Sequence, residues 1–293
     1  MPVKAMARRP VPCAVGASMS DGKPSTLTAD EPLPADSRHA RQIARRQLMA
    51  EAVMAEGSMR IEDLTSRFGI SLMTAHRDLD DLVSRGLLRK TRGVVSAAPE
   101  SLSESADIYR STRQAAEKRA IAAEAAMLIE PGQAIFLDDS TTVQQMVPHL
   151  AARVPLTVIT NSLILMGELR GLRDITLLGL GGQFHNWCSA FLGPVTTAEI
   201  RRLRADVAVM SMAAVTDGMI FHQSPEMAET KRAMFDSASR RILLADHSKF
   251  QRRALHAMCA LEAFDLVIVD SHTPSALLEE MRDKGVRLRV APV

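Results

Sequence analysis

Short polar and basic side chains recur at helical spacing between Ile61 and Gly93. Ser71, Thr74, His76 and Arg77 fall at the start and on the outer face of one predicted helix, and Arg89, Lys90 and Arg92 follow on a predicted hairpin. A guanidinium fork matches the O6 and N7 acceptors of guanine, a pairing worth about 1–3 kcal/mol of discrimination. Hydroxyls and free amides at a helix start suit phosphate oxygens. Arg77 is therefore the leading candidate for major-groove or phosphate contact, Ser71 and Thr74 suit phosphate, and the three hairpin cations would hold the backbone. Asp78 would repel phosphate and is expected to brace neighbouring basic side chains instead.

The elements that must position these groups are readable nearby. A first helix is predicted over Arg38–Glu56, with Leu48, Met49, Ala52 and Val53 as its core-facing stripe and Gly57 as its stop. A second buries Ile61, Leu64 and Phe68 and ends at Gly69. Ser71 is placed to cap the third, which buries Ala75, Leu79 and Leu82 and turns Met73, Thr74, His76, Arg77 and Asp80 outward. Leu87-Leu88 starts an extended segment, and residues 89–93 form the hairpin tip. That order predicts a winged helix-turn-helix over 38–97, a device for laying one helix in the DNA major groove. Amphipathic helices with solvated basic faces also occur in proteins that never meet DNA, so the hairpin and Arg77 carry the distinction.

Charge distribution agrees. Eleven Arg and Lys stand against seven acids from Arg38 to Gly93, so this segment carries +4 while the whole 293-residue chain carries +2. A basic end on a mildly acidic body presents one face to phosphates. With 46% hydrophobic and 24% charged residues, the chain reads as globular and soluble. It lacks any run of about 18 apolar residues, so no membrane span is expected. The early VPCAVGASM stretch is too broken by Pro, Gly and Ser for a secretory core, which makes the cytoplasm the expected location. Cys13, Cys188 and Cys259 are too scattered for a disulfide framework or a metal cage. No metal, cofactor or catalytic constellation is expected.

Residues 1–37 read as a disordered tail, since six of the fourteen prolines fall in the first 34 positions among Ala, Ser and Thr. A start codon lying further downstream would account for them equally. Residues 98–114 read as a linker, with a helix near 113–129. From residue 115 to 293, apolar runs (QAIFLD, LTVIT, ITLLGL, VAVMSM, RILLAD, LVIVD, VRLRV) alternate with helical stretches near 143–151, 162–171, 195–204, 226–239 and 274–284. Continuous apolar strands separated by helices predict an α/β domain with a mainly parallel sheet covered on both faces. Its polar clusters follow strands: Asp138 to Thr142, Thr160 to Ser162, and Asp246 to Lys249. Open α/β sheets bind ligands there.

The chain resembles the DeoR/GlpR family of bacterial transcriptional regulators over about residues 40–293. The family's Thr-x-Arg-Arg-Asp-Leu helix stands here as Thr74-Ala75-His76-Arg77-Asp78-Leu79, followed by Leu82 and Gly86-Leu87-Leu88-Arg89. Downstream come Glu117-Lys118 with Ile121-Ala122, then Asp138-Asp139-Ser140-Thr141-Thr142, then Thr160-Asn161-Ser162. Gly181-Gly182 with Gly193, Glu226 with Lys231-Arg232, and Asp246-His247-Ser248-Lys249-Phe250 complete the match. Each piece is weak alone; together, in the family's order, they are specific.

The resemblance implies a C-terminal domain similar in fold to ribose-5-phosphate isomerase and related sugar-phosphate enzymes. It also implies a phosphorylated sugar or polyol effector that releases the operator. Effector contacts are then expected from Asp138, Ser140, Thr141, Thr142, Thr160, Asn161, Ser162, Gly181, Gly182, Glu226 and Lys249. The hydroxyls of residues 140–142 would hold phosphate, Lys249 would neutralise it, Asp138 would accept from sugar hydroxyls, and Gly181-Gly182 would let backbone approach. Asp138 and Thr160 would equally serve as turn caps, Lys249 as a surface ion pair, and Gly-Gly as a plain turn.

Departures from the family pattern are His76 for Arg, Arg60 where a Ser or Thr cap is usual, Val94-Val95 for Gly-Ala after the wing, and Ser140 for Gly. The operator preference is therefore expected to be this chain's own. The implied function is a non-enzymatic regulator, in the first instance a repressor of a carbohydrate or polyol operon. Its partners would be double-stranded operator DNA and a second copy of itself, as dimer or tetramer, since two-fold operators need paired heads. The alternative is a sugar-phosphate isomerase-like enzyme carrying a DNA-binding head, with Asp138 and Glu226 as the available general bases. His185 reads as a polar loop residue rather than a metal ligand.

Overall fold

The computed structural model describes residues 38–97, 110–111 and 113–293. The expected tail over 1–37, and residues 98–109 and 112 of the expected linker, lie outside the described residues.

The N-terminal region runs α1 (Arg38–Glu56), β1 (Ser58–Arg60), α2 (Ile61–Phe68), α3 (Leu72–Ser84), β2 (Leu88–Thr91) and β3 (Val94–Ala97). Its core gathers Met49, Val53, Leu64, Ala75, Leu79, Leu82, Leu87 and Val95, all fully buried. Of the expected α1 stripe, Met49, Ala52 and Val53 are buried, while Leu48 is 54% exposed and Ala50 is buried instead. Ser71 Oγ accepts the Thr74 amide at 3.3 Å, which is the expected cap of α3. Arg60 supplies no side-chain cap to α2. The first amide of that helix, Ile61 N, donates instead to the Gly93 carbonyl at 3.0 Å, so the hairpin supplies one of the acceptors that a cap would.

Strand β1 is too short to show a period in the sequence, yet it pairs with β3 and places the wing in a three-stranded antiparallel sheet of order β1-β3-β2. Thr91 pairs with Val94 across a two-residue turn in which Arg92 and Gly93 have φ of 47° and 79°. Two successive positive φ values make the I′ type of hairpin turn, whose twist matches the strands. Val94-Val95 belongs to β3 itself, with Val95 buried in the core and Val94 37% exposed.

The larger region begins with α4 (Ala115–Ala126), β4 (Ala134–Leu137), α5 (Thr141–Gln144), α6 (Val147–Leu150), β5 (Leu156–Thr160), α7 (Leu163–Leu169) and β6 (Ile175–Gly179). Next come β7 (Gln183–His185), β8 (Ala190–Leu192), α8 (Pro194–Arg201), β9 (Ala205–Met210), β10 (Ala214–Thr216), β11 (Met219–His222) and α9 (Pro225–Asp236). The chain finishes with β12 (Ala238–Ala245), β13 (His256–Ala260), β14 (Leu266–Asp270), α10 (Ser275–Asp283) and β15 (Leu288–Ala291).

The seven apolar runs of the sequence are the seven strands of one sheet, ordered β15-β14-β12-β9-β4-β5-β6. Every pairing in it is parallel. Alternate residues enter opposite cores: Phe136, Ala208, Met210, Leu243 and Val267 on one face, Ile135, Leu137, Val209, Ile242 and Ile268 on the other. Burial on both faces is why these strands read as unbroken apolar runs. Each large aliphatic side chain so withdrawn from water contributes about 1.5–3 kcal/mol.

Strand β4 lies between β5 and β9. From β4 the chain proceeds outward through β5 and β6, then returns to β9 and builds the other half through β12, β14 and β15. Such a reversal opens a crevice beyond the carboxyl ends of the two strands at the switch. The β7–β8 hairpin and the antiparallel sheet β10-β11-β13 were not legible in the sequence. The helix expected over 226–239 ends at Asp236, because β12 already begins at Ala238.

Candidate DNA-reading face and anion cleft

Helix α3 and the wing present the predicted cations unequally. Arg77, Arg89 and Arg92 are exposed and, among the described residues, have no hydrogen-bond or ion-pair partner. Lys90 is engaged: its ammonium donates to His76 Nδ1 at 2.7 Å and to Asp80 Oδ1 at 2.9 Å, stitching β2 to α3. Lysine offers only donors, so His76 Nδ1 accepts and the neutral ring carries its hydrogen on Nε2. The hydroxyls of Ser71 and Thr74 lie 2.9 Å apart. Beside them Met73 is 72% exposed, an apolar group of the kind that meets a thymine methyl.

Asp78 faces inward and is fully buried. It takes Arg45 at 2.7 Å and Arg46 at 2.9 Å, while Arg46 also reaches Asp81 at 2.9 Å. Burial alone would raise the Asp78 carboxyl; hydrogen bonds from Arg46 and Arg45 outweigh it and hold the group below its usual value. The expected bracing role is what the geometry shows, and it ties α1 to the reading helix.

The second concentration of charge occupies the β4/β9 switch. Asp138, just past β4, accepts the Ser140 amide at 2.9 Å through Oδ1. Through Oδ2 it accepts the Ser211 amide at 2.8 Å and the Lys231 ammonium at 2.5 Å. Lys231 is also 3.2 Å from Asp139. Ser140 Oγ accepts the Val143 amide at 3.3 Å, fixing the turn into α5. The cleft in front of this frame is lined by Ser140, Thr141, Thr142 and Ser211 together with Arg110, His222, Lys231, Lys249 and Arg252.

Its electrostatics point one way. Lys118 donates to the Arg110 carbonyl and, at 3.2 Å, to Thr141 Oγ1. Burial, then the neighbouring Lys249, pushes the Lys118 ammonium down to about 7. His222 is held well below its ordinary value by burial and by Lys231. Its Nδ1 accepts the Gln223 amide at 3.0 Å, so the neutral ring carries its hydrogen on Nε2. Burial would raise Asp246, yet Lys249 and a hydrogen bond from Ser248 keep it low. Arg110 Nε and Nη2 are buried and, among the described residues, have no hydrogen-bond partner. Buried guanidinium nitrogens without an acceptor among the described residues, set among further cations and hydroxyls, are chemically suited to an anion with several oxygens.

Of the effector residues expected from the sequence, Ser140, Thr141, Thr142 and Lys249 line this cleft. Asp138 is not among the lining residues, and both its oxygens accept from protein donors, which orders the loops past β4 and β9. Thr160, Asn161 and Ser162 are fully buried past β5. Thr160 Oγ1 takes the Ser162 amide at 3.1 Å, Ser162 caps α7, and Asn161 Nδ2 donates to the Phe191 carbonyl at 2.9 Å. Gly181 and Gly182 lie against α8, where Thr196 Oγ1 donates to the Gly181 carbonyl at 2.8 Å. Glu226 is exposed on the first turn of α9, its Oε2 accepting from the Ser224 hydroxyl at 2.7 Å. That bond holds its carboxyl below the usual range. None of these last six lines the cleft. Arg110, His222, Lys231 and Arg252 do; none is among the effector contacts expected from the sequence, although Lys231 stands in one of the matching motifs.

Among the described residues, no helix is long and apolar enough to cross a membrane. The family model of the DeoR-like helix-turn-helix domain matches residues 45–100, and that of the DeoR C-terminal sensor domain matches residues 113–271. The transcriptional repressor AccR of Agrobacterium fabrum is 33% identical over 247 residues, covering 83% of this chain and 96% of that protein. The glycerol-3-phosphate regulon repressor of Escherichia coli K12 is 27% identical over 251 residues, covering 85% and 99%. The lactose phosphotransferase system repressor of Lactococcus lactis is 30% identical over 239 residues, covering 80% and 94%. Ribose 5-phosphate isomerase A from Neisseria gonorrhoeae aligns with 45% of this chain and 52% of its own at 14% identity and a TM-score of 0.34, a partial likeness that adds nothing to the assignment. With a reading head, a sensor domain and near full-length relatives in agreement, the chain belongs to the DeoR family of transcriptional regulators.

Proposed function

We propose that this chain represses a carbohydrate or polyol operon, binding double-stranded operator DNA through α3 and the wing and leaving it when a phosphorylated sugar or polyol enters the β4/β9 cleft. The reading head spans 38–97, the linker 98–114 and the sensor 115–293, and two or four copies pair their heads on a two-fold operator in the cytoplasm. The observation that carries the effector reading is Arg110, whose buried Nε and Nη2 lack an acceptor among the described residues and lie in a cleft that Lys231, Lys249 and Arg252 also line. A phosphoryl group supplies those acceptors. Relatives named for a glycerol-3-phosphate regulon and a lactose phosphotransferase system support a phosphorylated small carbohydrate or polyol. Sensing rather than turnover is favoured, because Asp138 is committed to Lys231 and Glu226 does not line the cleft.

Gel-shift titration against the DNA upstream of its own gene and its neighbours tests the proposal. Binding should weaken as salt rises and be relieved by one member of a panel of pentose, hexose and polyol phosphates. Arg110→Met should keep the shift and lose the relief. Absence of salt-sensitive binding to any of these fragments would refute the DNA reading. Relief that is unchanged in Arg110→Met, or obtained equally with the unphosphorylated compound, would refute the cleft.

A further inference from the structure

Three metal-binding side chains converge away from the cleft lining. One ligand atom from each of Glu117, His247 and His272 lies within 4.8 Å of the other two. Glu117 Oε1 is 3.2 Å from His272 Nδ1, and the two imidazoles meet edge to face with centroids 5.6 Å apart. Two atoms each about 2.1 Å from a tetrahedral ion lie roughly 3.4 Å apart, so the Glu117–His272 pair already has ligand spacing.

Asp270 orients the group. It is fully buried, accepts the amides of His247 at 2.6 Å and His272 at 2.9 Å, and holds His247 Nδ1 at 3.0 Å. A carboxylate accepts, so His247 Nδ1 carries the hydrogen and Nε2 keeps its lone pair. A carboxylate behind a ligating imidazole is the arrangement that fixes ring and tautomer for a metal. Side-chain exposure of 55% at His272 leaves a route from solvent, while Glu117 at 16% and His247 at 23% are largely shielded.

We propose that Glu117, His247 and His272 bind one divalent transition-metal ion, His247 through Nε2, with water completing the coordination. Two imidazoles and one carboxylate suit zinc, nickel or cobalt and are poor for magnesium or calcium, which take oxygen. This differs from the sequence expectation of no metal: the ligands come from α4, the loop after β12 and the loop after β14, so no local spacing marks them. An ion there would tie α4 to both loops; Glu117 is followed by Lys118, which donates to Thr141 of the anion cleft, and His247 lies two residues from Lys249, which lines it.

Calorimetric titration of the chelator-treated full-length protein with Zn2+ tests the site, with Co2+ absorption reporting coordination. Wild type should bind one Zn2+ per chain in this site. His272→Ala and Glu117→Gln should bind it roughly 100-fold more weakly or not at all, at or beyond the cost of losing a supporting hydrogen bond. Both metal-free variants should melt like wild type; if His272→Ala does not fold, Glu117→Gln decides alone. No binding by wild type, or equal binding by wild type and variants, would overturn the proposal and leave a hydrogen-bonded cluster only.

Discussion

Lys231 on α9 reaches across to Asp138 past β4, its Nζ 2.5 Å from Oδ2, with both side chains shut from solvent at 2% and 1% exposure. The same oxygen takes the Ser211 amide past β9. One buried pair therefore clamps both strands of the topological switch and the helix that covers them. Burial would drive the lysine towards its neutral form, but Asp138 and Asp139 outweigh it and raise the ammonium above its ordinary value. The lysine therefore keeps its charge and ties α9 to the turns past β4 and β9.

Lys231→Met should cost about 3–5 kcal/mol, because the carboxylates of Asp138 and Asp139 are both left in the core without their cation. The Lys231→Met, Asp138→Asn double variant should recover part of that loss, since no buried charge of this pair remains. Urea unfolding midpoints of wild type, both singles and the double measure the coupling. Strictly additive losses would show that the pair does not act as a unit.

Asp78 sets the acid sensitivity of the reading head. Its carboxyl is lowered on folding by Arg46 and Arg45 against the opposing effect of burial. A carboxylate depressed in the folded state contributes stability that is complete above its unfolded value of ~4 and is lost as pH falls through the folded value. The head should therefore weaken below about pH 4, and Asp78→Asn should flatten that dependence. At neutral pH the same variant should lose about 1.5–3 kcal/mol, the scale of a hydrogen bond to a charged group. Unfolding followed by circular dichroism at several pH values, on wild type and variant, reads both effects.

Legibility in the sequence followed burial and chain distance. All seven sheet strands are visible because strands buried on both faces are unbroken apolar runs. Strand β1 and the strands of the β7–β8 hairpin have three residues each, too few for any period. Ser140 to Thr142 and Lys249 are legible as polar groups directly after strands. Arg110 and His222 are not, because only the strand order brings positions so far apart to one crevice; Lys231 is legible as a motif residue but not as a lining one. Glu226 shows the converse: a motif residue close to Lys231 in sequence, turned outward because it accepts from Ser224 at the start of its helix.

The cations of the reading face should separate by role. Arg77→Ala should cost about 1–3 kcal/mol on the operator and much less on unrelated DNA, as a base-edge contact does. Arg92→Ala should weaken both and lower the slope of log K against log salt by about one. Lys90→Ala should change the salt slope less than Arg92→Ala, because its ammonium is already shared between His76 and Asp80. Fluorescence anisotropy at several salt concentrations resolves the three. Equal losses on operator and random DNA for Arg77→Ala would reassign it to phosphate.

Gly182 is where packing requires a glycine. Its φ of 148° already disfavours other residues, and a Cβ there would lie 2.1 Å from Thr196 Oγ1 and 3.1 Å from the Leu192 carbonyl. Thr196 cannot simply withdraw, since its hydroxyl donates to the Gly181 carbonyl at 2.8 Å and its side chain is fully buried. Gly182→Ala should destabilise the domain by about 1–3 kcal/mol, the usual cost of overpacking. Thr196→Ala removes the clashing oxygen, so the double variant should be more stable than the sum of the single losses predicts. Strain from φ and the Leu192 contact would remain, so the rescue should be partial. Thermal melts of the four proteins decide it: full additivity would mean the loop moves aside and Thr196 is not what forbids a side chain at 182.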